Sequence, residues 1–423
     1  MSDDTEREAF ERAIILENPD DAAGYAAYAD WLQERGAPRG EFIAVQLALE
    51  DESRANAERM NLRARETELL RTHDREWLGD LAPHLLDHGG VGAREDYDDP
   101  NRRPWAEHHW RGGFLASLRV QCLTRTFAQT LAAAPSARFL RELRLHGTAY
   151  YWSLEDQEVP PRVPTPAGER EHYEWFELIG SPCLRNLRVF YVGDEEAEPH
   201  EDGWCDCHTS TPGIHHVIAG MPRVEELHLL CKDYESAALF SLSNLSNLSV
   251  LRIYHLGGYN WDRRYEYALD VIATNPAFRS LTHLLFHPHQ PEGLGDDGQY
   301  HSYLPLDQVR ALVGSPHLPK LTHLQLRLSD MGDAGVSVIV ASGILKRLKW
   351  LDLRHGCITD EGARLFAACP DAANLERLDL SRNAVTTAGL NLLRAAGVNA
   401  VANSPLTQAE LDERQYLREG DFE

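Results

Sequence analysis

Three segments near the C-terminus decide the fold: LTHLQLRLSD (321–330), LKWLDLRHGCIT (348–359) and LERLDLSRNAVT (375–386). Each begins 27 residues after the one before it, and each is followed by a segment with helical spacing of apolar residues. The pattern Leu-x-x-Leu-x-Leu predicts a short strand, because alternate residues of a strand share one face. A strand, a turn and a helix therefore recur, and each unit buries its leucines only against its neighbours.

Six earlier segments carry the same pattern: LASLRVQ (115–121), LRELRLHG (140–147), LRNLRVFYVG (184–193), VEELHLL (224–230), LSVLRIYHLG (248–257) and LTHLLFHP (281–288). Over residues 114–400 the pattern resembles the leucine-rich repeats of the ribonuclease-inhibitor-like class. The resemblance implies an α/β solenoid shaped as a horseshoe, with parallel strands on its concave face and helices on its convex face. Wider spacing between the earlier repeats predicts insertions at 148–180, 194–223, 258–280 and 288–320. Asn383 and Cys357 are expected to satisfy backbone groups where the chain turns out of a strand.

Residues 1–50 are predicted to form a helical module, and residues 51–113 a helical connector. Helices are expected over about 5–17, 22–35, 39–50 and 52–77, from apolar spacing and from the breaks at Pro19, Gly36 and Pro38. Asp20 or Asp21 would cap the second helix. Its aromatic face, Tyr25, Tyr28 and Trp31, should pack on Phe42, Ile43 and Val45 of the third helix.

The stretches ILENPDD (15–21) and YADWLQERGAPRGEFIAVQLAL (28–49) resemble the bacterial repeat-companion domain, a short module that precedes leucine-rich and other repeats. The resemblance implies a bacterial protein with an N-terminal helical cap, and it assigns no activity. One interpretation is that this module closes the apolar end of the solenoid, with Asp30 and Arg39 in an ion pair or in helix-end contacts. The other is a docking site for another protein, built on exposed Trp31 and Arg39.

Alternation along the nine predicted strands assigns 27 side chains to the concave wall, of which seven are Arg, five are His and four are acidic. Arg binds carboxylates through two parallel hydrogen bonds, and aromatic residues anchor many interfaces. The wall is therefore predicted to bind an acidic segment of a partner protein. The predicted contact residues are Arg119, Arg144, His146, Arg188, Phe190, His228, Arg252, Tyr254, His283, His287, His323, Arg327, Trp350 and Arg354. The alternative is that these Arg side chains pair laterally with Glu142, Glu226, Asp352 and Asp379 of neighbouring repeats.

One insertion concentrates ligand types that zinc prefers: Cys205, Cys207, His208, His215 and His216 within 200–216. Their spacing matches no zinc module, so the segment is either a structural zinc site or an irregular loop. No other cofactor is expected. A zinc-dependent protein that uses this loop is one alternative function.

The bulk charge limits the remaining functions. A net charge of −24 opposes binding to nucleic acid and to anionic membranes, so a nucleic-acid binder that uses the concave Arg residues is the less favoured alternative. The helical module of residues 1–50 contains no nucleophile–base pair, and pairs of acidic residues are too common in the chain to identify one as catalytic. No catalytic residues are therefore predicted. The charged N-terminus and the lack of long apolar runs predict a cytoplasmic protein. We therefore expect a non-catalytic scaffold or adaptor, with 401–423 as an acidic C-terminal cap.

Overall fold

The structure is a computed structural model, and it describes residues 3–14, 18–87, 106–121, 123–146, 162–165, 168–171, 173–193, 209, 211–231, 234–253, 267–286 and 304–412. The chain divides into two compact units. The first unit comprises Met1–Ala149 and Pro161–Leu187, and the second comprises Tyr150–Pro160 and Arg188–Glu423. The first two predicted repeats thus belong to the same unit as the predicted helical module and connector.

The first unit combines helices with a small sheet. Its helices are α1 (Asp3–Arg12), α2 (Ala22–Glu34), α3 (Pro38–Glu50), α4 (Asn56–Leu78), α5 (Ala82–Leu86) and α6 (Arg125–Ala133). Its strands are β1 (Ala106–Arg111), β2 (Phe114–Val120) and β3 (Glu142–Leu145), followed by the hairpin of β4 (Arg162–Thr165) and β5 (Gly168–Glu171). β1 pairs antiparallel with β2, and β2 pairs parallel with β3. The four predicted N-terminal helices are confirmed, and Asp21 caps α2 by accepting a 3.0 Å hydrogen bond from Ala23 N.

Aromatic stacking holds α2 against the start of β2. The ring of Tyr28 stacks on that of Phe114, with 6.0 Å between centroids and 7° between planes. Ile43 of α3 is fully buried in the same cluster, as the sequence predicts. The expectation is wrong for Phe42 and Val45, because neighbouring residues of a helix point to different sides. These two side chains lie in a second cluster with Trp77 of α4, whose ring is 4.8 Å from that of Phe42.

The turn between β1 and β2 requires glycine. Gly112 and Gly113 have φ values of 57° and 81°, in the left-handed region that glycine adopts without a steric penalty. A Cβ on Gly113 would lie 2.1 Å from Cγ1 of Ile43. Gln46 of α3, which is 7% exposed, accepts a 2.8 Å hydrogen bond from Gly113 N and donates one of 3.0 Å to Trp110 O. The hairpin is therefore attached to α3 by close packing and by a buried amide.

The second unit is a solenoid of parallel strands and helices. Its strands are β6 (Val189–Gly193), β7 (Glu226–Leu230), β8 (Val250–Ile253), β9 (His283–Phe286), β10 (His323–Leu326), β11 (Trp350–Asp352), β12 (Arg377–Asp379) and β13 (Ala400–Val401). Each pairs parallel with the next. The helices are α7 (Ile214–Ile218), α8 (Ser236–Phe240), α9 (Leu269–Thr274), α10 (Leu306–Val313), α11 (Gly332–Ser342), α12 (Asp360–Ala368), α13 (Thr387–Ala395) and α14 (Gln408–Asp412). Each of the nine sequence segments with the leucine pattern contains a strand. Two of these strands belong to the first unit, and the others belong to the second unit.

A leucine ladder forms the core of the second unit. Leucines at one strand position pair in register from β7 to β12, and none is more than 1% exposed: Leu227, Leu251, Leu284, Leu324, Leu351 and Leu378. Full burial of one leucine stabilises the fold by about 1.5–3 kcal/mol relative to exposure. Because each leucine is covered by those of adjacent repeats, the repeats stabilise one another, as the 27-residue period predicts.

A second, polar ladder joins the helix N-termini of adjacent repeats. The carboxylate of Asp333 in α11 accepts hydrogen bonds from Thr359 N at 2.9 Å, from Thr359 Oγ1 at 2.6 Å and from Gly362 N at 2.9 Å. One repeat later, Asp360 accepts from Thr386 N at 2.8 Å and from Thr386 Oγ1 at 2.6 Å. A carboxylate also suits the positive end of a helix. The ladder therefore fixes the spacing of α11, α12 and α13.

Asn383 fills the turn that follows β12, and its predicted role is confirmed. Its Oδ1 accepts hydrogen bonds from Gly356 N at 2.9 Å and from Ile358 N at 2.8 Å. Its Nδ2 donates to Leu353 O at 2.9 Å and to Leu380 O at 3.1 Å. The side chain is 1% exposed, so it replaces water for the backbone of two adjacent turns.

The segment after β13 crosses the turns of the last repeats. Leu411 of α14 is buried in a cluster with Leu328, and Leu406 packs against the same cluster. Leu406 N also donates a 2.9 Å hydrogen bond to Asn383 O. The predicted cap over 401–423 thus begins with residues that cover apolar turns, and the rest of that range, from residue 413 onward, lies outside the described residues.

Candidate functional site

The strands of the second unit carry two rows of side chains that alternate with the leucine ladder, and we call these rows the open strand face. The first row follows the register Val189, Glu226, Val250, His283, His323, Trp350 and Arg377. The second row follows Tyr191, His228, Arg252, Leu285, Gln325, Asp352 and Asp379. Every residue of the first row is at least partly exposed, whereas the ladder beside it is buried. The first row is therefore the part that a ligand could contact most fully.

The sequence-based register is wrong for β6. Phe190 was expected on the concave wall, but it pairs with Leu227 of the ladder and is fully buried. The segment LRNLRVFYVG fits the repeat pattern in two alignments, one that starts at Leu184 and one that starts at Leu187. The second places Phe190 and Val192 inside and Val189 outside, because a large aromatic side chain fills the core better than valine. Val189 and Tyr191 occupy the open strand face instead.

Arg188 consequently precedes the strand. Its guanidinium lies 3.4 Å from Oε1 of Glu225, and its carbonyl accepts a 2.8 Å hydrogen bond from Glu226 N. Leu230, which alternation also assigned to the wall, is 1% exposed and belongs to the core. Tyr254 and His287 lie outside the described residues.

Three rings form a continuous group in the first row, which we call the aromatic row. The imidazoles of His283 and His323 stack with 4.0 Å between centroids and 15° between planes. The indole of Trp350 follows at 6.3 Å from the ring of His323. The rings come from β9, β10 and β11, and their stacking follows from the parallel register. They present a partly exposed aromatic surface on three neighbouring strands.

An ion triad lies beside the aromatic row. Arg327 Nε donates a 3.0 Å hydrogen bond to Asp352 Oδ2, and Arg354 Nη2 donates another of 3.0 Å to the same oxygen. Asp352 is fully buried and Arg327 is 6% exposed. Two guanidinium groups share one carboxylate. Desolvation makes removal of either partner of a buried ion pair costly.

Other charged side chains of the predicted wall also have acidic partners. Arg377 Nη2 donates a 2.8 Å hydrogen bond to Asp379 Oδ2 in its own strand, and His228 Nε2 lies 3.2 Å from Glu226 Oε2. The lateral pairing expected as an alternative is present between Arg327 and Asp352, which belong to adjacent repeats. Most pairs join residues two positions apart in one strand, where alternation brings the side chains to the same face.

The predicted wall residues of the first unit form a group of their own. Arg119 Nε donates a 3.0 Å hydrogen bond to His146 Nε2, and its Nη1 lies 3.5 Å from Glu107 Oε2. Arg144 forms an ion pair with Glu142 of the same strand. These side chains of β1, β2 and β3 are arranged as matched charges.

The two residues proposed for docking at the N-terminal module make internal contacts. Trp31 Nε1 donates a 3.2 Å hydrogen bond to Glu6 Oε2. The guanidinium of Arg39 lies 5.3 Å from the ring of Trp77 and donates to its carbonyl at 3.5 Å, and burial lowers its pKa. The expectation that both residues are exposed is wrong, since both are partly buried. For the suggested contact between Asp30 and Arg39, the structure shows the Arg39 guanidinium near aromatic rings and the Asp30 side chain exposed.

The zinc-type ligands are only partly described. His215 and His216 lie in the first turn of α7, with 4.1 Å between their ring centroids, and His215 Nδ1 lies 3.2 Å from Glu235 Oε2. Cys205, Cys207 and His208 lie outside the described residues. Within the part of the chain that the structure describes, no three His, Cys, Asp or Glu side chains converge as metal ligands.

A family model of leucine-rich repeats matches residues 317–340, 348–367 and 372–393. Residues 317–393 are leucine-rich repeats. Their strands β10, β11 and β12 carry half of the leucine ladder and two of the three rings of the aromatic row. No curated protein matches the chain in sequence.

Three solved structures are similar to the chain. A Bacteroides fragilis protein has 15% identity and a TM-score of 0.41, covering 66% of this chain and 70% of its own. An internalin of Listeria monocytogenes has 14% identity and a TM-score of 0.32, covering 66% and 71%. A leucine-rich repeat protein of Leptospira interrogans has 12% identity and a TM-score of 0.21, covering 67% and 90%. Because these TM-scores are below 0.5, the fold assignment rests on the matched repeats and on the strand ladder.

None of the helices in the described ranges combines the length and the apolar character that are needed to span a bilayer.

Proposed function

We propose that the chain is a non-catalytic scaffold or adaptor that binds a partner protein through its open strand face, and that the bound segment is acidic. The observation that carries this proposal is the aromatic row beside the ion triad. Trp350 ends that row, Arg377 pairs with it in the neighbouring strand, and Arg354 follows it by four residues. Partly buried Trp and Arg side chains carry most of the binding energy in protein interfaces.

The charge of the open strand face determines the class of partner. Two guanidinium groups, those of Arg327 and Arg354, share the carboxylate of Asp352, and the guanidinium of exposed Arg377 has donors beyond the one that Asp379 accepts. The chain as a whole carries a net charge of −24, so basic side chains are the minority in it. An acidic segment would be attracted to this surface and repelled elsewhere, which fixes its position.

The test is affinity capture with the full chain as bait. The variant Trp350→Ala/Arg354→Glu/Arg377→Glu removes the anchor and reverses two charges of the surface. The matched control, Arg364→Glu/Arg394→Glu, reverses two exposed charges on α12 and α13. We expect the wild type and the control to recover the same partner, and the surface variant to lose it by about tenfold or more. Equal recovery by all three proteins would contradict the proposal.

Nucleic-acid binding is the weaker alternative, since the net charge opposes it. It predicts a gel shift that weakens steeply with salt and that disappears in the surface variant. A shift with the wild type and the control but not with the surface variant, together with no captured protein, would favour this alternative.

A structural zinc ion in 200–216 is a second proposal. It is supported by the paired imidazoles of His215 and His216 and by the neighbouring carboxylate of Glu235, which could orient a ligating imidazole. Elemental analysis of purified protein decides it. About one zinc per chain, lost in His215→Ala/His216→Ala, is the expected result.

The helices of the first unit are proposed to be a repeat-companion module that acts as a cap. Support comes from the attachment of the β1–β2 turn to α3 through Gln46 and the close approach of Gly113 to Ile43. Removal of residues 1–87 would expose Phe114 and is expected to make the remaining chain aggregate. A truncated chain that stays monomeric with an unchanged melting temperature would show that the helices are dispensable.

A further inference from the structure

The last strand of the second unit has an unpaired edge. Leu380 N of β12 donates a 2.8 Å hydrogen bond to Val401 O of β13. Neighbouring residues of a strand direct their backbone groups to opposite sides, so the N–H and C=O groups of Ala400 and Ala402 point away from β12. Among the described residues, no group pairs with them. This edge is therefore a template for one more strand.

The chain turns back after β13 and leaves this edge uncovered. Leu406 N donates a 2.9 Å hydrogen bond to Asn383 O in the turn after β12. Leu411 packs against Leu328, which follows β10. Residues 404–412 thus run back across the turns of earlier repeats, in the direction opposite to the unpaired edge.

The same end of the second unit is almost without charge. Residues 383–409 contain one charged side chain, Arg394, whereas the 27 residues before them, 356–382, contain eight. A chain with a net charge of −24 repels its own copies, and this repulsion is weakest where charged side chains are absent. This end is therefore the surface at which a second copy can approach at the lowest electrostatic cost.

Helix α13 adds an uncharged stripe to this end. Ala388, Leu392 and Ala395 are exposed and recur at helical spacing, so they share one side of the helix. Leu392 is 43% exposed, and no other large apolar side chain of the second unit is exposed among the described residues. The helix packs against α12 and β13, which places this stripe beside the unpaired edge.

We infer that this uncharged end is an interface between two copies of the chain, in which β13 pairs antiparallel with β13 of the second copy. The inference goes beyond the proposed function and does not depend on it. In a two-fold arrangement, Ala400 of each copy lies opposite Ala402 of the other, and Val401 lies opposite Val401. Every outward N–H group then donates to an outward C=O group of the other copy.

The local backbone restricts this pairing to a dimer. Ser404 has a φ of 47°, and Pro405 has no N–H group, so the template ends after Asn403. A two-fold axis uses the same edge of both copies, so no free edge remains at the interface. A charged partner would find no counterpart for its charges here, whereas a second copy brings the same uncharged surface.

Sedimentation velocity of the full chain tests the interface. Ala402→Pro removes an outward N–H group but leaves the hydrogen bond between Leu380 and Val401, and Ala402→Gly keeps the N–H group as its control. Leu392→Glu places a charge in the stripe of α13. Its matched control is Met60→Glu, which changes an exposed apolar side chain of the first unit. Circular dichroism checks that each variant is folded.

We expect the wild type and both controls to shift from monomer to dimer between about 1 and about 200 µM, the range of small, weak interfaces. Ala402→Pro and Leu392→Glu should each raise the dissociation constant by about tenfold or more. Dimerisation should be stronger at about 0.5 M than at about 0.05 M salt, because screening reduces the repulsion between the two acidic chains.

A wild type that stays monomeric over this range would overturn the inference, and so would equal dimerisation of Ala402→Pro or Leu392→Glu. Association that weakens with salt would show that ion pairs hold the copies together, and would overturn the uncharged interface. If only a chain that lacks residues 413–423 dimerises, the chain's own C-terminal segment is the occupant of the edge, and the second copy is not. None of these variants changes Trp350, Arg354 or Arg377, so the capture experiment decides the proposed function separately.

Discussion

Replacement of Asn383 by alanine should strongly destabilise the second unit. The substitution leaves the N–H groups of Gly356 and Ile358 without acceptors and removes the donors to Leu353 O and Leu380 O. The site is 1% exposed, so water cannot replace the amide without local opening. An unsatisfied buried polar group costs about 1–3 kcal/mol. Two orphaned N–H groups at about 2 kcal/mol each predict a loss of about 4 kcal/mol.

Urea denaturation, followed by circular dichroism and tryptophan fluorescence, measures this loss. Because the chain has two compact units, each transition is fitted separately. The matched control is Asn391→Ala on exposed α13, where Oδ1 accepts only a surface hydrogen bond from Arg394, and a change within about 0.5 kcal/mol is expected. A loss below about 1 kcal/mol for Asn383→Ala, close to that of the control, would refute the view that this amide supports the turns.

Three further changes test other parts of the fold. Asp333→Ala removes the acceptor of three hydrogen bonds in the polar ladder, so urea denaturation should show a loss of about 2 kcal/mol in the free energy of unfolding. The control Asp330→Ala, at an exposed position, should leave that free energy unchanged. Equal losses for the two variants would contradict the role of the ladder. Gly113→Ala should cost about 3 kcal/mol or more because its Cβ would overlap Ile43, whereas Gly343→Ala should cost only about 1 kcal/mol, since Gly343 also has a positive φ but has open space around its Cβ position. Calorimetry that ranks the two losses the other way would refute the close packing at Gly113. Burial raises the pKa of the Cys183 thiol to about 11, so about one molecule in a thousand carries the thiolate at pH 8. Mass spectrometry should therefore find Cys183 unmodified by a disulfide reagent until the protein is denatured. Rapid labelling of Cys183 in the native protein would disprove its burial.

The parts of the fold that the sequence predicted depend on local or periodic features. The N-cap at Asp21 needs only the next two residues, and the strands recur because the leucine triplets recur. The turn role of Asn383 follows from its place three residues after the last leucine of its triplet, where the chain leaves the strand. Alternation also placed His283, His323 and Trp350 on one face, since that property belongs to any extended chain.

The errors arose where two local solutions were equally good. The segment before Phe190 fits the repeat pattern in two alignments three residues apart, and only the packing of the core selects between them.

Trp31 and Arg39 were expected to be exposed, because nothing in their own helices shows that Glu6 and Trp77 contact them. Contacts of this kind join residues 25 and 38 positions apart, beyond the reach of any periodic pattern.

By itself, the sequence determined that leucines recur with a strand–turn–helix period and that Arg, His and Trp side chains alternate with them. Only the tertiary structure decided which of those charges neutralise one another at Asp352, and that His283 and His323 stack although 40 residues of chain separate them. The physical reason is that alternation within a strand is set by its covalent geometry, whereas the partner across the sheet is set by register. Register depends in turn on how the whole core packs.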